Sequence, residues 1–307
     1  IAWSVGRHGP HRLTIVSGRI VRRGGGDVDV EVFRERSRQT WDAMADGWEA
    51  RGDFLERNMG VVNDWIIEQI DPQAGQVVLD VAAGPGDLGL RIAEQIAPSG
   101  KVISTDFAAE MVVVAERLGA SRRLDNVQYR QLDAEQMDLP DNSVDAVVCR
   151  AGYMLMADPG AAFAESQRVL RPRGVLAFQV FTTPDRNPWA SVAAAALVQR
   201  GHLPAPQPGA PGPFALSDAE RTRHLLTTAG FIEVDLEIVD FEFRYADEDD
   251  AWNAIVDLNG PMAVIIDSLP TDERDLTRQA VRDAYAPHQQ RDGSYPIPAQ
   301  AWCVVAR

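Results

Sequence analysis

The sequence has few of the residues that bind metals or form disulfides. Its 307 residues include five histidines and two cysteines, Cys149 and Cys303. Two cysteines are too few for a disulfide framework or a cysteine-rich zinc site. Both lie in apolar runs, so we predict buried free thiols. Because the sequence contains no HExxH motif and no serine-nucleophile elbow, we expect no metal centre and identify no catalytic residue.

Long apolar runs and basic charge are also scarce. No apolar run approaches the roughly 18 residues that a membrane-spanning helix needs, and the opening stretch does not resemble a secretory signal. The net charge is −15, with 30 Lys+Arg against 45 Asp+Glu. An acidic surface repels phosphate backbones. We therefore expect a cytoplasmic protein whose partner is neither nucleic acid nor a membrane, and the sequence leaves open whether it forms a homo-oligomer.

The middle of the chain alternates short apolar strands with helices, which predicts an α/β fold with a parallel sheet. After residue 181 the alternation stops, and residues 182–216 are rich in proline, alanine and glycine, which predicts a loop or mobile cover. We expect residues 1–27 to be a disordered basic tail and residues 28–181 to hold N-terminal helices and a ligand-binding core. Residues 182–307 would supply the proline-rich cover, cap helices and final strands that complete the sheet.

A glycine turn follows the first strand of this core. Residues 84–89 form the pattern GxGxxG, which is typical of dinucleotide sites. Asp80 ends the preceding strand, where its charge would disfavour a pyrophosphate but favour a cationic ligand. Asp106 ends the second strand and would accept both hydroxyls of a ribose. Asp133 and Ala134 end the third strand, where a carboxylate would accept from an adenine amine.

Five stretches carry a resemblance to a known family: WDAMADGW, VVLDVAAGPGDLG, KVISTDFAAEM, VQYRQLDAEQMDLPDNSVDAVVCR and RVLRPRGVLAFQVF. Together they resemble the class I S-adenosylmethionine-dependent methyltransferases, especially the bacterial enzymes of ubiquinone and menaquinone biosynthesis. The resemblance implies a Rossmann-like, seven-stranded, mostly parallel sheet with an antiparallel C-terminal strand, helices on both faces and a helical cap. It also implies transfer of a methyl group from S-adenosylmethionine to a small-molecule acceptor, which the aromatic side chains indicate is apolar or aromatic.

The same resemblance implies two groups of site residues. The cofactor-binding residues are Trp48, Asp80, Ala82, Gly84, Gly86, Asp106, Phe107, Met111, Asp133, Ala134, Arg150 and Ala151. The residues expected to line the acceptor pocket are Trp41, Tyr153, Met154 and Trp189. In the first group, Trp48 would lie in a lid over the cofactor.

Two features depart from the family. The first glycine of its loop is replaced by Ala82, which is tolerable if φ is negative there, and the Asn-rich segment of the quinone enzymes after the fourth strand is missing. Two other functions therefore stay open. In the first alternative, the protein binds S-adenosylmethionine without transferring methyl, as a sensor or a repurposed natural-product enzyme. In the second, it is a nicotinamide oxidoreductase.

Overall fold

The structure, a computed structural model, describes residues 12–16, 19–23, 28–207 and 209–307. The strands are β1 (Arg12–Val16), β2 (Arg19–Arg23), β3 (Val28–Asp29), β4 (Val77–Val81), β5 (Lys101–Asp106), β6 (Val127–Gln131), β7 (Val144–Arg150), β8 (Leu170–Phe181), β9 (Val234–Tyr245) and β10 (Tyr295–Ala306). The helices are α1 (Val30–Ala50), α2 (Gly52–Ile70), α3 (Asp87–Ile96), α4 (Ala109–Ser121), α5 (Pro159–Val169), α6 (Pro188–Gln199), α7 (Ala219–Ala229), α8 (Glu248–Leu258), α9 (Gly260–Ser268) and α10 (Thr271–Tyr285).

The predicted seven-stranded sheet is confirmed, with the order β6-β5-β4-β7-β8-β10-β9. The pairs β4–β5, β4–β7, β5–β6 and β7–β8 are parallel, and β10 runs antiparallel to both β8 and β9. The order reverses at β4, because β5 lies on one side of it and β7 on the other. In sheets of this kind, ligands bind at the carboxyl ends of the strands at such a reversal.

The core lies on both faces of the sheet. Side chains of α2 and α3 pack with Val78 and Val102 on one face, and α5, α6 and α7 pack with Leu79 and Val147 on the other. Because successive strand side chains point to opposite faces, both faces of these strands are apolar. Cys149 and Cys303 are buried free thiols, as predicted.

Some boundaries differ from the sequence-based expectations. The N-terminal helices are α1 and α2, and they meet near residue 51. The segment predicted as a loop or mobile cover contains α6, in which Ala193 and Leu197 are fully buried. That prediction is wrong for residues 188–199, because Pro188 suits the first turn of a helix and an alanine-rich run follows it.

The N-terminal segment is only partly described. Of the predicted tail, residues 1–11, 17–18 and 24–27 lie outside the described residues. Residues 12–16 and 19–23 form β1 and β2, which pair antiparallel, and β3 joins β2. A small three-stranded sheet therefore occupies part of the segment in which the sequence predicts disorder.

None of the helices in the described part of the chain is both long enough and apolar enough to cross a membrane.

Candidate functional site

A pocket opens at the carboxyl ends of β4, β5, β6 and β7, and α1 forms its opposite wall. Its place at the strand reversal is where sheets of this kind bind small molecules and cofactors. The lining residues are Phe33, Arg34, Ser37, Trp41, Trp48, Ala82, Ala83, Gly84, Asp106, Phe107, Met111, Leu132, Asp133, Ala134, Glu135, Arg150, Ala151, Gly152, Leu155, Met156 and Ala157. Eleven of the sixteen residues that the sequence analysis singles out are in this lining: Trp41, Trp48, Ala82, Gly84, Asp106, Phe107, Met111, Asp133, Ala134, Arg150 and Ala151.

The turn between β4 and α3 has an unusual backbone. Ala82, Gly84 and Gly86 have φ values of +51°, +56° and +85°, all in the left-handed region. The sequence-based expectation that Ala82 is tolerated depended on a negative φ, and the φ of Ala82 is positive. An L-residue in this region costs about 1–2 kcal/mol, which glycine would avoid. Gly84 leaves room for a neighbouring ring, since a Cβ built there would lie 3.8 Å from Cε3 of Trp48.

Asp106 joins the glycine turn to the start of the next helix. Its Oδ2 accepts a hydrogen bond from the Gly84 backbone N–H at 2.8 Å, and its Oδ1 accepts one from the Ala108 backbone N–H at 2.9 Å. A carboxylate has about four acceptor positions, so both oxygens keep capacity for a ligand. Burial raises the pKa of Asp106 to about 6, because removal from water disfavours the charged form.

Asp80 lies beneath the turn and not in the pocket. Its side chain is almost fully buried, and its Oδ2 accepts from the Gly89 backbone N–H at 2.9 Å in α3. Burial raises the pKa of Asp80 to about 8, and nearby Asp87 adds to the effect. Asp80 is therefore not placed to contact a ligand in the pocket, contrary to the prediction from the sequence. The position of Asp80 explains why residue 89 is a glycine, since a Cβ at position 89 would lie 2.6 Å from Asp80 Oδ2.

Arg150 is in the lining, but its charge is directed elsewhere. The guanidinium forms a bidentate pair with Asp87, with Nη2 donating to Oδ1 at 2.7 Å. Asn63 completes this buried group by donating from Nδ2 to Asp87 Oδ2 at 3.3 Å. The group ties β7 to α2 and α3. It leaves the guanidinium facing the first turn of α3, where its charge is already paired.

Four other predicted residues lie outside the lining. Gly86 is the N-cap of α3, where a Cβ would lie 3.1 Å from Ala115 Cβ. Tyr153 is fully buried, and its hydroxyl lies 2.6 Å from Ser166 Oγ. Met154 is also buried, and its carbonyl accepts from the Gly212 backbone N–H at 2.9 Å.

Trp189 is the remaining one, and it packs against aromatic rings of the core. Its ring centroid lies 4.7 Å from that of Phe181 and 4.9 Å from that of Phe243. The prediction of an acceptor pocket is thus wrong for Tyr153, Met154 and Trp189. The physical reason is that the short helix after β7 and the start of α6 direct these apolar side chains into the core.

The sequence analysis missed part of the wall that α1 supplies. Phe33, Ser37 and Trp41 are spaced by four residues, so they lie along one face of the helix. Trp48 follows two turns later on that face, and its ring meets that of Trp41 edge-on at 5.9 Å. This helical spacing is visible in the sequence. What the sequence could not show is that the face covers a pocket rather than a core.

The other missed residues come from the turn after β6 and the segment after β7. They are Leu132, Glu135, Gly152, Leu155, Met156 and Ala157, with Ala83 from the glycine turn and Arg34 from α1. No group of three or more His, Cys, Asp or Glu side chains within the described residues is placed to hold a metal ion.

Comparison with known proteins agrees with this geometry. Residues 72–203, which include β4 to β8 and most of the lining, match a family model described as a methyltransferase domain. This match supports the resemblance of residues 72–203 to S-adenosylmethionine-dependent methyltransferases. The match to this methyltransferase domain ends soon after α6.

Three similar proteins illustrate the relationship. The chain is 35% identical over 163 residues to the ubiquinone/menaquinone biosynthesis C-methyltransferase UbiE of Hahella chejuensis. That alignment covers 50% of this chain and 63% of the relative, so the chain spans less than two thirds of the relative's length. Two solved structures share the fold.

The first is the YcgJ protein of Bacillus subtilis, with TM-score 0.52 and 18% identity, covering 80% of this chain and 96% of that one. The second is the [4+2]-cyclase SpnF, with TM-score 0.51 and 21% identity, covering 80% and 79%. Both similarities show the fold alone.

Proposed function

We propose that this protein transfers a methyl group from S-adenosylmethionine to a small-molecule acceptor. One observation carries the proposal. The pocket at the strand reversal combines a glycine turn with left-handed backbone, the carboxylate of Asp106 beside it and the acidic turn at Asp133. These groups suit an amino-acid part, a ribose and an adenine in that order. The curated relative is named as a C-methyltransferase, which supports the same reaction.

The residues fit the cofactor by chemistry and by space. Asp106 would hold the ribose hydroxyls, Phe107 and Met111 would lie against the adenine, and Gly84 would let the amino-acid part approach the backbone. The sulfonium of S-adenosylmethionine supplies a methyl group that is already activated for in-line displacement. The protein then needs mainly to align the two reactants, which can lower a barrier by about 7–11 kcal/mol. Trp41 and Trp48 on α1 would exclude water.

An apolar or aromatic acceptor suits the part of the lining that the cofactor leaves free. Phe33, Leu155 and Met156 contribute apolar surface to the lining, and any of it that faces the acceptor would favour a ligand of low polarity. The relative's name points to quinone-type acceptors, so quinols belong in any panel of acceptors. We further propose a cytoplasmic location.

Transfer of labelled methyl tests the proposal directly. The protein is incubated with S-adenosylmethionine labelled in the methyl group and a panel of phenols, quinols and amines. We expect release of S-adenosylhomocysteine that depends on one acceptor class and disappears in Asp106→Ala. Binding of S-adenosylhomocysteine without turnover on any acceptor would support a protein that binds the cofactor without transferring methyl. Thermal stabilisation by NAD alone would support an oxidoreductase and exclude both.

A further inference from the structure

The turn after β6 presents two acidic side chains to the pocket, and their hydrogen bonds differ. Both oxygens of Glu135 have partners. Oε1 accepts from the Ala157 backbone N–H at 2.8 Å, and Oε2 accepts from Arg34 Nη2 at 2.5 Å. The side chain of Glu135 is 5% exposed. Glu135 is therefore held within the wall and has little capacity for a ligand.

Asp133 keeps one oxygen available. Its Oδ1 accepts from the Glu135 backbone N–H at 2.8 Å, whereas its Oδ2 lies 4.0 Å from Arg34 Nε, too far for a hydrogen bond. The side chain of Asp133 is 32% exposed, and the residue lines the pocket. Among the residues that the structure describes, none donates to this oxygen. Oδ2 is thus the acceptor that a bound base would meet.

We propose that Arg34 is a positioning residue that makes this turn select a purine with a 6-amino group. It fixes Glu135 in the wall, so that Asp133 Oδ2 alone faces the ligand and accepts from the exocyclic amine. The proposal rests on the proposed binding of an adenosine cofactor and deepens it. It concerns the choice of base and leaves the methyl acceptor aside.

Charge explains why the turn needs Arg34. Burial raises the pKa of Glu135, and the hydrogen bond and charge of Arg34 oppose that rise. If Arg34 were removed, a nearly buried Glu135 would bind a proton more readily. A protonated carboxyl can donate as well as accept, so the turn would no longer present acceptors alone. It would then discriminate less between a 6-oxo base and a 6-amino base.

Arg34 also joins the turn after β6 to the first part of α1. It stands in the second turn of the helix, and its buried Nε has no hydrogen-bond partner among the described residues, although Asp133 Oδ2 lies 4.0 Å away. Trp48 lies fourteen residues further along the same helix, about 21 Å away at the usual rise. The helix therefore reaches the turn after β6 with one end and the glycine turn with the other.

The test compares two product analogues that differ only at the base. S-adenosylhomocysteine has a 6-amino purine, and S-inosylhomocysteine has a 6-oxo purine. We expect the intact protein to prefer the first by about 10- to 100-fold in calorimetric Kd, since the oxo group cannot donate to a carboxylate. Arg34→Ala should reduce that preference to about threefold. Arg38→Ala is the matched control, because Arg38 lies one turn away and pairs with Glu35 and Asp42 outside the lining.

A second variant identifies the acceptor. Asp133→Asn can donate from its amide to a 6-oxo group, so the preference should reverse toward S-inosylhomocysteine. Adding Arg34→Ala to Asp133→Asn should then shift the ratio further toward S-inosylhomocysteine, because Arg34 acts through Glu135, which can then also donate. An equal loss of affinity for both analogues in Arg34→Ala, with their ratio preserved, would make Arg34 a simple anchor of α1 and overturn the proposal. If the intact protein binds neither analogue, the proposed function itself fails, and this inference fails with it.

Discussion

The ends of two neighbouring strands, β4 and β5, place similar residues in different surroundings. Asp80 and Asp106 each stand at or near the carboxyl end of a parallel strand beside the same glycine turn. Asp80 shares its face of the sheet with Val78, which packs with α2 and α3, so its carboxylate points beneath the turn. Asp106 is the last residue of β5 and lines the pocket. Because Val78 and Val102 pair and share a face, Asp80 and Asp106 lie on the same face of the sheet. The difference is their position along the strand: Asp80 lies within β4 and is covered by α3, whereas Asp106 stands at the end of β5 and reaches the pocket.

We expect the largest effect on ligand affinity from a change at Asp106, the carboxylate that lines the pocket. Asp106→Ala should weaken S-adenosylhomocysteine binding about 100-fold or more in calorimetry. The variant removes a charged acceptor for two hydroxyls and also the partner of the Gly84 and Ala108 backbone N–H groups. Asp42→Ala is a suitable control, because Asp42 is an acidic residue that lies outside the lining. If Asp106→Ala binds S-adenosylhomocysteine with unchanged affinity, Asp106 does not hold the ribose.

Asp80 should affect stability more than binding. Asp80→Ala leaves the Gly89 backbone N–H buried without its acceptor, which should cost about 1–3 kcal/mol in the free energy of unfolding, measured in urea. Asp80→Asn keeps an acceptor and should cost much less, since burial already favours the neutral acid at pH 7. Both variants, where folded, should bind S-adenosylhomocysteine within a fewfold of the intact protein. A large loss of affinity in Asp80→Asn would restore the direct contact that the sequence predicts.

The pH dependence of binding should follow Asp106. Its pKa is raised to about 6, and only the ionised carboxylate accepts from two hydroxyls at full strength. Affinity for S-adenosylhomocysteine should therefore be highest above pH 6 and fall by up to about tenfold for each pH unit below it. The folding stability of the ligand-free protein depends on pH with the opposite sign. Because the pKa of Asp106 is raised in the folded state, its contribution to stability falls as the pH rises from about 4 to about 6. Calorimetry from about pH 5 to about pH 8 checks this, and Asp106→Asn should give a flat profile.

The sequence allowed the sheet and one side of the pocket to be predicted, for a physical reason. Strands at the centre of a parallel sheet are apolar on both faces, so the polar residues at their ends stand out, as Asp106 and Asp133 do. The same pattern cannot show that Asp80 is covered, because the group that buries it is the backbone of α3 at Gly89, nine residues further along the chain.

The other side of the pocket depends on contacts between distant parts of the chain. Tyr153, Met154 and Trp189 follow strand ends and carry the apolar character of a ligand pocket, yet they pack in the core. Arg34 and Glu135 are 101 positions apart, and nothing local to either residue indicates their ion pair. Composition describes which side chains are available, whereas tertiary packing decides which of them remain open to a ligand.

The smallest expected effect separates backbone strain from ligand contact within the glycine turn. Ala82 and Gly84 have nearly the same left-handed φ, +51° and +56°. Gly84→Ala should therefore lower the free energy of unfolding by about 1 kcal/mol, since its Cβ would make only an ordinary contact with Trp48 at 3.8 Å. Ala82→Gly should relieve a similar strain, but the added freedom of the unfolded chain offsets part of the gain, so we expect a rise below about 1 kcal/mol. Urea denaturation of both variants measures the difference. If Ala82→Gly instead destabilises the protein as much as Gly84→Ala does, packing of the Ala82 Cβ against Gly152 outweighs the backbone term at that position, and the alanine is retained for that contact.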